Sequence, residues 1–419
     1  MNEQVITTPS SAQTQPASTA SPKSTRLMSL DALRGFDMLW ILGGEFFIES
    51  LDKVHRGGFL DALAAQFEHK EWQGFAFYDL IFPLFVFIVG ISIVFSVGKI
   101  IRQEGKAAAH KRIFRRFALL FVVALIYSGG VSADWPSIRL LGVLNRIALC
   151  YLFAALIFSQ FKWRGIAAVC ASLLIGYWAL MSFVPFPDVR PVNAQGEVIE
   201  QKLTTRRVAD LNFNSTRQLK GVFEPGLNLA HYIDQKYLPG KKWDGTWDPE
   251  GLLSTIPAIG TCLLGVLVGL LLQNPSITDQ KKVFILLGGG VVGVLAGFTW
   301  GLQFPVIKKI WTSSYVLVAG GYSALLMAAF YQIIEIWNQR KWATAFIWVG
   351  ANPITLYLVS NFLGGYGKLG LRLAGGDVKR FFDTRLADGV GNVVIAAVSL
   401  GIVLLFARFL YQRKIFLRL

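Results

Sequence analysis

The sequence predicts an all-α protein, a polytopic transmembrane helix bundle of about ten spans with one long extracytoplasmic loop. Three observations carry this expectation. Of 419 residues, 53% are hydrophobic and only 16% charged, which is the composition of a membrane protein rather than a soluble domain. Apolar runs of roughly 20 residues, the length that crosses about 30 Å of hydrocarbon as a helix, recur along the chain. Lysine and arginine gather in alternate short links between those runs, as cytoplasmic loops require.

The spans are expected near 30–51, 77–98, 113–131, 138–160, 164–184, 251–272, 282–301, 314–337, 342–364 and 389–411. Backbone groups in lipid must be satisfied within the segment, and these runs are too long for barrel strands, so helices are the expected form. Residues 1–25 are rich in Ser, Thr, Pro, Gln and Ala and lack the pattern of a cleaved signal. They read as a disordered cytoplasmic tail.

Lys99, Arg102, Lys106, Lys111, Arg112, Arg115 and Arg116 place the link after the second span in the cytoplasm. Lys162/Arg164, Lys281/Lys282, Arg340/Lys341 and the C-terminal Arg408, Arg413, Lys414 and Arg418 then fall on the same side. With ten spans, both termini are expected to be cytoplasmic, in a bacterial inner membrane. The 132–138 link is nearly free of basic residues, whereas the 365–388 link carries five and runs against the rule.

The net charge of +15 reads as this topological bias and as attraction to anionic membrane lipids. A nucleic-acid partner is not expected, because the basic residues are spread over many loops. Cys150, Cys170 and Cys262 all fall in apolar runs without paired spacing, so they read as packing residues. The polar stretch between Pro185 and Glu250 mixes His231, Tyr232, Tyr237, Trp243 and Trp247 with Asn, Asp and Lys. Two readings stay open for it: stacking on a sugar, or anchoring at the head-group level.

Ionisable groups inside spans are costly and therefore candidates for function. Asp31 and Arg34, three apart, share a helical face and form either a structural pair or a holder for a phosphate-bearing ligand. Glu45 and Glu49 lie near the outer end of the first span. Asn145 and Arg146 interrupt the fourth span, and Asn352-Pro353 interrupts the ninth. Both interruptions serve either as interhelical glue or as part of a site. Of the four histidines, His55, His69, His110 and His231, only His69 stands at a helix mouth beside carboxylates. Glu68, Glu71 or Asp79 could orient its imidazole. No repeated metal-ligand spacing surrounds it, so no metal is expected.

The segments RLMSLDALRGFDMLWILGG at 26–44, HKEWQGFAFYDLIFPLFVFIVGISI at 69–93, IRLLGVLNRIALCY at 138–151, DPEGLLSTIPAIGTCLLGVLVG at 248–269, FPVIKKIWTSSYVL at 304–317 and GANPITLYLVS at 350–360 stand in this order along the chain. Together they resemble the heparan-alpha-glucosaminide N-acetyltransferase family of transmembrane acyltransferases and its bacterial relatives. The resemblance implies a transmembrane acyltransferase domain over 26–419, with residues 185–250 inserted between the fifth and sixth spans. It implies acetyl transfer from cytosolic acetyl-CoA to the amine of a glucosamine-like sugar or glycan on the far side. It also makes His69, in the H-x-x-W-x-G pattern with Trp72 and Gly74, the catalytic histidine. Gln73 departs from the animal pattern, which has Asn there, and Glu45 falls near a polar Asn of that pattern.

The candidate site is therefore His69, Glu45 and Asp79 for catalysis, and Arg34, Arg112, Arg116, Asn145 and Arg146 for the acetyl-CoA donor. Trp72, Asp248, Glu250 and Asn352 are the candidates for the acceptor. His69 would act as a base toward the amine or accept the acetyl group itself, with Asn145 or Asn352 as a donor to the oxyanion. Arginine forks suit the phosphates of CoA. Homodimer formation stays open. The alternative reading is an amino-sugar or small-solute permease, although no internal repeat of the kind common in transporters is visible. A scaffold that has lost catalysis is the third.

Overall fold

A computed structural model describes residues 27–54, 58–130, 134–192 and 207–417. The expected tail at 1–25 and His55 lie outside the described residues, as does the side chain of Glu45. Among the described residues the regular structure is helical apart from one short antiparallel pair, β1 (Phe186–Pro187) against β2 (Gln218–Leu219).

Among the described residues, seven helices are long and apolar enough to cross a membrane. They are α4 (Phe77–Tyr127), α5 (Val143–Gln160), α6 (Trp163–Phe183), α8 (Thr255–Gln273), α9 (Asp279–Gly301), α10 (Ser313–Tyr331, continued by a wider turn to Ile336) and α15 (Val390–Gln412). The count differs from ten for identifiable reasons. The second and third expected spans form the two arms of α4, which breaks at Gly105 (φ 86°, ψ 174°). Gly98 lies against Phe158, and His110 bonds Ser159 at 2.9 Å. A straight helix would hold residues 98 and 110 about 18 Å apart, so the chain turns back at Gly105.

The first and ninth expected spans are broken helices. Residues 28–54 form α1 (Met28–Leu39) and α2 (Glu45–Val54), joined through Gly43 at φ 145°. The ninth is α11 (Thr344–Ala351) and α12 (Pro353–Phe362), separated at Asn352, where Pro353 has no amide hydrogen to continue the ladder. The fourth span also needs a boundary correction. It begins at Val143, so Asn145 and Arg146 occupy its first turn and do not interrupt its middle. The basic 365–388 link is itself helical, as α13 (Tyr366–Ala374) and α14 (Gly376–Arg385). Two further short helices are α3 (Phe59–Phe67) and α7 (Leu229–Tyr237).

Lipid is as apolar as leucine, so packing between these helices depends on close backbone approach at small residues. A methyl group on Gly90 of α4 would stand 2.0 Å from the Cys262 carbonyl oxygen of α8, and one on Gly265 would stand 2.0 Å from that of Phe87. The same device joins α1 to α11, where a methyl on Gly35 would meet the Phe346 carbonyl oxygen at 1.7 Å. The helices α4 and α8 thus form the centre of the bundle, and all three cysteines are buried in its spans.

Candidate functional site

The segment His69–Gly74 enters α4 over a short extended stretch. Asp79, at the third helical position, turns its carboxylate back onto that entry. Its Oδ2 accepts the Ala76 amide at 3.1 Å and the Lys70 amide at 3.3 Å, a satisfaction of orphan helix-start donors that an acid here provides. Its Oδ1 lies 2.9 Å from His69 Nδ1. The carboxylate is buried while the imidazole is 49% exposed, so the ring is held from behind and open in front. Of the three acids named beside His69 in sequence, Asp79 is the one that holds the ring.

Lys308, absent from the sequence candidates, completes the cluster. Its Nζ lies 3.0 Å from His69 Nδ1, 3.3 Å from Nε2 and 3.4 Å from Asp79 Oδ1. A tight turn before α10 aims it there. The Trp311 amide donates to the Lys308 carbonyl at 2.9 Å, the Thr312 amide donates to that of Ile307 at 3.2 Å, and Trp311 takes φ 50°. A bulky residue in that region costs about 1–3 kcal/mol, which burial of the indole and its bond to Thr261 Oγ1 at 3.1 Å offset. The Thr312 hydroxyl accepts from the Ile307 and Tyr315 amides, closing the turn and capping α10. The Gly74 amide donates to the Val306 carbonyl at 2.9 Å, and Gln73 pairs with Ile307. Two distant segments therefore meet as a short backbone ladder that fixes Lys308 opposite His69.

Beneath this pair, the Tyr315 hydroxyl donates to the Asp79 carbonyl at 2.7 Å. The Tyr315 ring packs edge-on to Trp311 at 5.3 Å, and the Arg146 guanidinium lies over the Trp311 ring at 5.0 Å. Arg146 is fully buried and donates to Ser254 Oγ and, at 3.3 Å, to the Gly251 carbonyl. The structure thus brings Arg146 to the His69 end of the bundle.

The 207–250 region is clamped over this end. Arg139 forms a two-pronged pair with Asp248, at 2.8 and 2.6 Å, and also bonds Glu250. Both carboxylates proposed from sequence to meet the acceptor are therefore engaged by one arginine. Lys309, the neighbour of Lys308, bonds Asp244 at 3.0 Å. The Trp72 indole donates to the Phe223 carbonyl at 2.8 Å and packs edge-on against both His231 and Trp247. His231 stacks on Trp247 at 3.7 Å, and both are buried. Burial, with Lys309 adding to it, holds His231 well below the ordinary imidazole range. The ring is neutral and accepts the Gly226 amide at Nδ1, at 2.8 Å. Of the loop aromatics open to sugar stacking, Trp247 and His231 are packing residues, whereas Trp243 and Tyr237 are exposed.

The remaining candidates lie elsewhere. Arg34 reaches Ser92 Oγ at 2.8 Å and the Gly350 carbonyl at 3.3 Å. Ser92 is 13 residues along α4 from Asp79, about 20 Å. Arg112 bonds Glu104 at 2.9 and 3.1 Å across the Gly105 bend, and Arg116 lies over the Tyr151 ring. The five arginine and asparagine candidates for the donor do not form one cluster. Asn145 and Asn352 are buried, and neither side-chain amide has a partner among the described residues.

Residues 26–204, which carry α1 to α6 and His69, match the family described as heparan-alpha-glucosaminide N-acetyltransferase, catalytic. Two curated proteins of that name are similar. The Mus musculus protein is 24% identical over 461 residues, covering 97% of this chain and 62% of its own length. The Homo sapiens protein is 24% identical over 435 residues, covering 93% and 59%. The chain thus spans about six tenths of the length of these relatives. The family that the sequence motifs resemble is the one that matches.

Proposed function

We propose that this chain, similar to heparan-alpha-glucosaminide N-acetyltransferases, is a membrane-embedded acetyltransferase that moves an acetyl group from acetyl-CoA to the amine of a glucosamine-like sugar. The observation that carries this reading is the His69–Asp79 contact with Lys308 at the ring edge. Asp79 Oδ1 accepts a hydrogen bond from Nδ1–H in the tautomer that leaves the lone pair on Nε2, the arrangement of a positioned base.

In this reading the amine nitrogen attacks the thioester carbonyl, forming a C–N bond. His69 Nε2 takes the amine proton. The tetrahedral oxyanion collapses, the C–S bond breaks, and the CoA thiolate leaves and takes the proton back from His69 Nε2, which restores the base. The Lys308 ammonium lies where negative charge develops beside the imidazole, and fixed donors of that kind stabilise an oxyanion.

The donor requires polar partners inside the bundle. A buried amide without a partner is costly, and the unpartnered Asn145 and Asn352 have the chemistry to bond the amides of a pantetheine arm. Arg34 and Arg112 are the candidates for its phosphates, on the side with the basic loops. By the distribution of Lys and Arg, that side is cytoplasmic and His69 faces the opposite compartment.

The test is to incubate purified protein with labelled acetyl-CoA and glucosamine. Labelled N-acetylglucosamine should form with wild type and be lost with His69→Ala. Full transfer by that variant would refute the assignment of His69.

A further inference from the structure

We propose that an apolar cleft between α6, α8, α9 and α10 binds the acyl chains of an anionic phospholipid. The proposal is independent of the acetyl-transfer reading. The cleft has a volume of about 670 Å³ and is walled by side chains such as Leu264, Leu267, Leu271 and Ile285, with Gly289 and Gly320 opening its interior. Its walls belong to membrane-spanning helices, so the medium that meets it is hydrocarbon. An apolar cavity of this kind stays dry.

The surrounding helices cannot close it, because close contacts between them at and beside its walls fix their spacing. A methyl on Gly290 would lie 2.9 Å from the Gly321 carbonyl oxygen, and one on Gly321 would lie 2.6 Å from that of Gly290, so α9 is locked onto α10. On the other side Cys170 Sγ donates to the Gly260 carbonyl at 3.5 Å, which holds α6 on α8. Gly320 of α10 touches Leu264 of α8 at the floor of the cleft. Closing the space would separate one of these contacts.

One end of the cleft is different in character. Trp163 and Asn274 line it there, and Lys162, Arg164 and Lys281 lie exposed beside them. The Arg164 guanidinium stands 5.3 Å from the Trp163 ring. An interfacial tryptophan with a cluster of basic residues suits an anionic head group at the membrane surface. The cleft therefore matches a lipid in both halves, with apolar walls for the chains and positive charge for the phosphate.

Native mass spectrometry of the full chain, reconstituted with phosphatidylglycerol and phosphatidylcholine in equal amounts, tests this. Wild type should retain phosphatidylglycerol at least about tenfold over phosphatidylcholine. Gly289→Leu should abolish retention, since a Cβ at Gly289 meets no atom within 4 Å and the new side chain would enter the cleft. Gly288→Leu, at an equally open position outside the lining, should leave it unchanged. Exchange of Lys162, Arg164 and Lys281 for Gln should remove the preference for the anionic lipid.

A photoactivatable phosphatidylglycerol, competed by unlabelled lipid, should label wild type around Ile285 and needs no variant to fold. Equal retention by Gly289→Leu, no preference between the lipids, or labelling spread evenly over all spans would overturn the proposal. So would a dimer that Gly289→Leu converts to a monomer, which would assign the cleft to a second copy of the chain.

Discussion

Lys308 and His69, 239 residues apart in the chain, meet with Nζ 3.0 Å from Nδ1 and 3.3 Å from Nε2. The contact depends on the turn that holds Trp311 at φ 50° and on the Gly74–Val306 backbone bond. If Lys308 stabilises the developing oxyanion, Lys308→Gln should lower kcat for acetyl transfer by roughly 100-fold. KM for glucosamine should change little, and steady-state kinetics separate the two.

Asp79 acts on His69 and on the start of α4 together. Asp79→Asn keeps an oxygen for the Ala76 amide but no longer favours the Nδ1–H tautomer. Transfer should fall by about 100-fold or more, while the thermal midpoint moves by a few degrees. A large loss of stability with little change in activity per folded molecule would contradict this division of roles.

Arg139 is the counter-charge for Asp248 and Glu250, with Asp248 wholly buried. Arg139→Met would leave two acids without it, which typically costs about 3–5 kcal/mol. Thermal unfolding in detergent should show a marked fall in Tm. Removing the acids as well, in Arg139→Met/Asp248→Asn/Glu250→Gln, should restore part of it.

His231 and Asp234 on α7 give the 207–250 region opposed pH responses. Burial lowers the His231 pKa, so its contribution is present above the ordinary imidazole range and is lost as pH falls. Burial pushes the Asp234 carboxyl up to about 7, so its contribution is present below the ordinary carboxylate range and is lost as pH rises through that value. Asp234→Asn should protect this region from limited proteolysis increasingly, relative to wild type, between about pH 5 and about pH 8. A ratio that does not change with pH would contradict the assignment.

Much of this arrangement is legible locally. Apolar length located the helices, and His69 with Asp79 is visible because ten residues and one helix start separate them. The breaks at Gly43 and Asn352-Pro353 coincide with residues that mark interruption in the sequence. Long-range geometry is not readable in the same way. Lys308 stands in a recognisable segment, but nothing local says that its turn pairs with Gln73 and Gly74. The Lys308–Lys309 pair in the short link between two apolar runs was the available signal. Trp247 and His231 stand among polar neighbours in the sequence, which left sugar stacking or head-group anchoring open, and the stacking across α7 and the Trp72 segment buries them. Asn145 and Arg146 looked like an interruption because apolar runs do not mark where the first helical turn begins.

The central claim is acetyl transfer at His69 across the membrane, and sealed proteoliposomes test it most directly. Labelled acetyl-CoA is supplied on the side of the basic loops and glucosamine on the other. Labelled N-acetylglucosamine should appear in the glucosamine compartment with wild type and not with His69→Ala. Equal product from His69→Ala, or passage of glucosamine across the membrane without acetylation, would contradict the account.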